Sequence, residues 1–265
     1  MTILLDEPQP THDDGRICTV DDLPGWFTLH YQPEIDLATD RIVGCEALLR
    51  WSRPEFGLCD PEAALQHSSR ESVLASVESW SLRAALRQAR VWADEGRAVP
   101  VAVNLTRGRV EDPRLADDIA AALEETGVPG SLLAIDIPMI EFTKAPVPTA
   151  RLAADLRELG VEVIADGVVG DRYASSIEPA EPGAFKVPIR WSDRFHTEAH
   201  PLMASAVALA DEIGATTVAK DVATQEQLGA VRRLGFRRAF GSAISDAVEP
   251  DLLPVSWDPG AEAAA

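Results

Sequence analysis

The sequence predicts an α/β fold of the closed (βα)8, TIM-like barrel type, on three observations. Apolar β-type runs alternate with amphipathic helical stretches along most of the chain, and glycines close the helical stretches. About seven or eight strands fall within some 230 residues, which suits one closed barrel better than two open sheets. In order, the runs are FTLHYQP, IVGCEALLRW, a long helical span around SVESWSLRAALRQARVWADEG, and VPVAVNLT. Helical RLADDIAAALEETG then precedes LLAIDIP, helical TARLAADLRELG precedes VEVIAD, and AFKVP, PLMASAVALADEIG, TTVAKDV, QEQLGAVRRLG and RRAFG follow. Gly127, Gly160, Gly214 and Gly235 each stand where a left-handed helix cap is wanted. Residues 1–21 mix proline, aspartate and polar residues without a lasting period and read as an acidic flexible arm. The barrel domain is expected over 22–255 and a frayed tail over 256–265.

Composition narrows the function classes. The formal net charge of −19 argues against phosphate-backbone binding to nucleic acid and against an acidic membrane surface, but leaves room for a small anion in a local cationic pocket. No stretch approaches the roughly 20 apolar residues of a membrane span, and the N-terminus does not resemble a cleavable signal, so a cytoplasmic location is expected. Cys18, Cys45 and Cys59 are odd in number, lack Cys-x-x-Cys spacing, and read as reduced thiols. Lysine occurs only at Lys144, Lys186 and Lys220, so the position of each matters.

Barrels of this type carry their functional groups at the C-terminal ends of the strands. The polar residues there are Glu46 in IVGCEALLRW, Asn104 ending VPVAVN, Asp136 ending LLAID, Asp166 ending VEVIAD, Lys186 ending AFK and Lys220 ending TTVAK. Singly, each fits a solvated strand end; together on one rim they point to a site.

YQPEID (Tyr31 to Asp36) followed by CEALLRW (Cys45 to Trp51) resembles the EAL-domain family of cyclic di-GMP phosphodiesterases. The resemblance continues through VNLT around Asn104, LAIDIP around Asp136, IAD around Asp166 and FKV around Lys186, and covers roughly residues 25–250. It implies a TIM-like barrel with one antiparallel strand. It also implies two divalent cations, magnesium or manganese, held by oxygen ligands and activating a water toward a phosphodiester. Glu46 matches the motif glutamate ligand and Asn104 the asparagine ligand, while Asp136 stands where the family has a longer glutamate.

Elsewhere the sequence departs from the family pattern. The Asp-Asp-Phe-Gly-Thr-Gly run corresponds to Ala165 through Gly170, so that Ala165 replaces the first aspartate and only Asp166 remains. Pro188 takes the place of the aspartate two residues beyond the lysine. The Ala-Glu-Gly-Val-Glu-Thr run reads Ala219, Lys220, Asp221, Val222, Ala223, Thr224, which removes both glutamates, the general base among them. The Gln-Gly-Tyr signature aligns with Phe240, Gly241 and Ser242, altering a guanine-contacting edge. A lysine ammonium near Glu46 and Asp166 pairs with carboxylates that otherwise need a metal and repels a divalent ion. The expectation is a pseudo-enzyme with no cofactor and no two-metal centre.

The nucleotide contacts that the resemblance implies are retained as Gln32, Leu48 and Arg50, with Lys186 and Lys220 adding positive charge. Each has a plainer alternative: a loop hydrogen bond for Gln32, core packing for Leu48 and a salt bridge to Glu46 for Arg50. His196 and His200 read as a loop-to-helix pair and Trp80 as core. Arg232, Arg233, Arg237 and Arg238 read as a solvated helix end or as a docking patch for an acidic partner or a second copy of the chain. The candidate ligand-binding set is thus Gln32, Glu46, Leu48, Arg50, Asn104, Asp136, Asp166, Lys186 and Lys220. Three functions compete: a cyclic di-GMP receptor without hydrolysis, a protein-interaction regulator that binds neither nucleotide nor metal, and a residual phosphodiesterase using a single ion on Glu46, Asn104, Asp136 and Asp166. An unidentified protein partner and a homodimer are both expected of such a module.

Overall fold

A computed structural model describes residues 26–53, 57–59, 71–171, 174–189 and 199–254. The arm and tail expected over 1–21 and 256–265 lie outside these residues, as do Cys18 and His196. In chain order the elements are β1 (Trp26–Asp36), β2 (Ile42–Arg53), β3 (Gly57–Cys59), α1 (Glu71–Asp94), β4 (Val101–Asn104), α2 (Leu115–Thr126), β5 (Leu133–Pro138), α3 (Met139–Lys144), α4 (Pro146–Glu158), β6 (Glu162–Asp166), α5 (Ala174–Ile177), β7 (Ala184–Pro188), α6 (Ala199–Ile213), β8 (Thr216–Lys220), α7 (Gln225–Arg233) and β9 (Arg238–Ala239). Every apolar run expected to be a strand is one; β3 and the short helices α3 and α5 were not signalled by periodicity.

The sheet runs β1-β9-β8-β7-β6-β5-β4-β2 and closes through β1 against β2, with β3 appended to β2. β1 is antiparallel to both barrel neighbours, while the other ring pairings are parallel. This is the expected barrel with one antiparallel strand. The long β1–β2 hairpin explains it: a five-residue link returns the chain directly, leaving no crossover helix to make the pair parallel.

Alternation along each strand sorts side chains into two compartments. Outward residues such as Val103, Ile135, Val163, Phe185 and Ala219 pack with Leu86, Trp92, Ile119, Leu156 and Val231 of the helices in the main core. Inward residues Ala102, Ala134, Ile164, Ala184, Val218 and Phe240 form a separate small cluster inside the barrel. Three alanines in that layer leave space for larger polar groups from neighbouring positions.

The helix-closing glycines behave as expected, with φ of 64° at Gly127, 77° at Gly160, 74° at Gly214 and 88° at Gly235. Gly241 is constrained by its backbone conformation and by its neighbours together. Its φ is 147°, and a Cβ there would stand 2.2 Å from the Val222 carbonyl oxygen and 2.3 Å from the Val222 nitrogen. Gly241→Ala is therefore expected to destabilise the protein by about 3 kcal/mol, read as a lower urea midpoint. An unchanged midpoint would show that the 240–243 turn can move aside.

The arginine cluster is partly absorbed by the fold. Arg232 donates to the Leu37 carbonyl and to Asp40, tying down the β1–β2 turn. Arg238 reaches into the barrel floor, 3.4 Å from Glu34 and 3.5 Å from Glu162. The docking-patch reading loses these two members for the physical reason that their guanidinium groups already neutralise carboxylates inside the fold.

Candidate functional site

The six strand-end groups do not share one rim, which corrects the sequence expectation. Lys186 is the third of five residues in β7, and Asp136 the fourth of six in β5, so both lie inside the barrel rather than at its mouth. Glu46, Asp136 and Lys186 are 4%, 1% and 0% exposed. Asn104, Asp166 and Lys220, each the last residue of its strand, form an outer tier that reaches solvent.

The inner tier is an ion cluster. Lys186 Nζ donates to Glu46 Oε2 at 2.9 Å and to Asp136 Oδ2 at 2.5 Å, and lies 4.9 Å from the centroid of the Phe240 ring. Asn104 Nδ2 donates to Glu46 Oε1 at 2.7 Å, linking the tiers. In the outer tier Lys220 Nζ donates to Asp166 Oδ2 at 2.8 Å. Lys186 thus faces two carboxylates with an aromatic face beneath it, which compensates the desolvation of a fully buried ammonium.

These charges set the protonation states. Burial raises the Glu46 carboxyl, but Lys186, Lys220 and the Asn104 amide outweigh it and hold the group below the usual carboxylate range. Burial dominates at Asp136, with Glu46 and Asp166 adding repulsion, and pushes it up to about 7 against the pull of Lys186. Burial lowers Lys220, but Glu46 and Asp166 more than reverse this and raise it. The two carboxyls therefore have opposite pH signatures. The contribution of Glu46 is present above its ordinary value and lost as pH falls through its lowered one. That of Asp136 is complete below its ordinary value and fades as pH rises to about 7. Asp136→Asn is expected to abolish the loss of stability over this second interval in urea titrations; persistence of that loss would assign it to another group.

Ala165 requires a correction. It is fully buried on the outer face of β6, packed in the helix-facing core, whereas Asp166 faces the interior. An aspartate at position 165 of this backbone would point away from the mouth, because successive strand residues face opposite sides. Asp166 is the inward carboxylate of the run, and Gly167 follows it.

Gln32 lies directly opposite Glu46 in the β1–β2 ladder, and its Nε2 donates to the Ser245 carbonyl at 3.0 Å, realising the loop hydrogen bond considered for it. Leu48 and Arg50 are half-buried further along the same face of β2, and the Arg50 Nη1 donates to the Leu49 carbonyl at 3.0 Å. Leu48 is therefore not a fully buried core residue. Phe240 is 3% exposed in the barrel interior rather than on an accessible edge. Pro188 pairs in register with Lys220, next to the outer tier. Asp221, where the family run has glycine, holds φ of 65°, a left-handed conformation costing roughly 1 kcal/mol for a side chain with a Cβ.

The donor set gives a test for divalent metal. Lys186 and Lys220 engage one oxygen each of Glu46, Asp136 and Asp166, and Asn104 engages the other Glu46 oxygen. Asp136 Oδ1 and Asp166 Oδ1 remain buried without a hydrogen-bond partner. Lys186 matches a lysine of the family pattern, so its presence is no departure; the Lys220 ammonium, where that pattern has a carboxylate, is. Among the described residues no group of three or more His, Cys, Asp or Glu is arranged to hold a metal ion. Lys186 and Lys220 thus occupy carboxylate oxygens that a divalent cation would need at this site.

A TIM-like barrel that carries carboxylates, an asparagine and lysines in its interior and at its C-terminal mouth defines the class, and comparison with known proteins agrees. The sequence model of the EAL domain matches residues 23–247, and the chain belongs to that family, which is related to cyclic di-GMP phosphodiesterases and is metal-dependent. An uncharacterised protein of Mycobacterium tuberculosis is 26% identical over 86% of this chain and 78% of its own. The bifunctional diguanylate cyclase/cyclic di-GMP phosphodiesterase MucR of Pseudomonas aeruginosa is 29% identical over 87% of this chain, which spans 34% of that protein. A solved structure of the PaMucR phosphodiesterase in complex with c-di-GMP superposes with a TM-score of 0.76 at 25% identity, covering 86% of this chain and 94% of that one. The Xanthomonas citri FimX EAL domain, in complex with c-diGMP, shares the fold at 19% identity and a TM-score of 0.75, over 87% and 91% of the two chains. No described helix is long and apolar enough to cross a membrane.

Proposed function

We propose that this chain is a catalytically degenerate EAL domain that receives cyclic di-GMP at the barrel mouth without hydrolysing it. The observation carrying this reading is the Lys220–Asp166 pair at 2.8 Å, an ammonium standing where the family pattern requires the general base. Lys220 is a tethered counter-ion: it neutralises Asp166 and Glu46 and opposes entry of a divalent cation. Without a metal-activated water and a carboxylate base, the residues left at the mouth bind and orient. Arg50 offers a planar donor fork to a phosphate, Asn104 an exposed amide and Lys220 a second cation. The signal then passes to a protein partner or a second copy of the chain in the cytoplasm. The alternative, a regulator that binds no nucleotide, is favoured by the Gln32 amide, which is already engaged by Ser245.

Calorimetric titration with cyclic di-GMP, first without divalent metal and then with excess magnesium, tests the reading. Expected is metal-independent binding at micromolar affinity or tighter, lost on Arg50→Ala. Absence of heat under both conditions would leave the nucleotide-free regulator. Product formed with magnesium or manganese by the protein, but not by Asn104→Ala, would restore the phosphodiesterase.

A further inference from the structure

We infer that Glu78, a buried carboxylate on α1 outside the mouth, is a positioning residue for Asn104 and through it for the ligand site. This rests on the receptor reading only for its ligand readout.

The chain leaves the barrel immediately after Asn104, and three of its next four backbone N–H groups are captured. Leu105 N donates to the Asp136 carbonyl at 2.9 Å, Thr106 N to Glu78 Oε2 at 2.8 Å, and Gly108 N to Glu141 Oε1 at 3.2 Å. Glu78 is the centre of this anchorage. Its Oε2 also accepts from Thr106 Oγ1 at 2.8 Å, and its Oε1 accepts from Arg109 Nε at 2.8 Å, while Arg109 Nη1 reaches Asp112 at 2.6 Å. Glu78 is 8% exposed and Glu141 5% exposed, so each carboxylate is committed to the loop rather than to solvent.

A surface loop has no need of two buried carboxylates from separate helices merely to stay folded, because its N–H groups can be satisfied by water. The expenditure is intelligible if the position of Asn104 matters. That side chain is exposed, lies at the strand end, and holds Glu46 Oε1 at 2.7 Å. Fixing the peptide two residues downstream fixes the direction in which the amide projects, which is how supporting contacts preorganise a site.

The test is a double-mutant cycle. Glu78→Ala should weaken cyclic di-GMP binding about tenfold in the native background, the equivalent of one hydrogen bond to a charged group, and less than about twofold in the Asn104→Ala background. Equal losses in both backgrounds would make Glu78 merely structural and overturn the inference. A second readout is independent of ligand: the Asn104 side-chain amide protons should shift and exchange faster with solvent in Glu78→Ala. If the unmodified protein binds no nucleotide, the receptor reading fails, and the amide signals alone decide this inference. Unchanged signals would overturn it. Should Glu78→Ala not fold, Thr106→Val removes one of the three Glu78 contacts at similar shape and should move the same amide protons in the same direction.

Discussion

Lys186→Met is expected to be the most damaging single change in the barrel, costing about 3 to 5 kcal/mol and lowering the thermal midpoint by about 10 °C. The side chain is wholly buried between Glu46 Oε2 and Asp136 Oδ2, so methionine of similar length fills the space but leaves two carboxyls facing one another without a cation. The pH dependence identifies the cause. In the native protein burial would lower Lys186, but Asp136, Glu46 and Glu34 raise it, so its contribution is intact below the ordinary lysine value and lost only as pH rises through the raised one. In the variant the folded-state value of Glu46 rises above its ordinary one and that of Asp136, already raised, rises further. Their stabilisation is then present at low pH and lost as pH climbs through those raised values. The variant should therefore recover stability on acidification from pH 8 to pH 5. A loss that is the same at both pH values would indicate a packing defect instead.

Lys220→Glu should make the stability of the protein respond to manganese. Removing the ammonium frees Asp166 Oδ2 and adds a carboxylate beside Asp166, whose Oδ1 is buried without a hydrogen-bond partner. Without metal, three or four acidic groups then crowd the mouth, and the variant should unfold at lower urea than the native protein at pH 7. With manganese in hundredfold excess over its dissociation constant it should regain about 2.7 kcal/mol, and the native protein almost nothing. Comparable stabilisation of the native protein would show that Lys220 does not exclude the ion. Failure of the variant to respond would show that the deficit at the site extends beyond this residue.

How far each element could be read depended on its physics. The strand runs VAVN, LAIDIP and VEVIAD were legible because a parallel strand buried on both faces must be apolar almost continuously, and the helices because an amphipathic face repeats near every 3.6 residues. β3, three residues long, carries too few positions for any period, and its pairing with Trp51 to Arg53 of β2 is a tertiary fact. Glu46, Asn104, Asp136, Asp166, Lys186 and Lys220 were legible as polar interruptions of apolar runs, but their depth was not. A strand-end expectation placed Lys186 at the mouth, whereas two further residues of β7 carry the barrel past it. Glu78 and Glu141 escaped notice because a helical carboxylate gives no sign in sequence that its partner is a loop N–H 28 or 33 residues away.

Composition and strand–helix alternation were thus determined by the sequence alone, since each is a one-dimensional quantity: a count or a period. The tertiary structure decided which side of each strand faces inward, and so sent Ala165 to the helix layer and Asp166 to the mouth. It also decided which charges meet. Ion pairing falls off within a few ångströms, and only closure of the barrel brings Lys186 to Glu46, 140 residues distant, and Lys220 to Asp166, 54 residues distant.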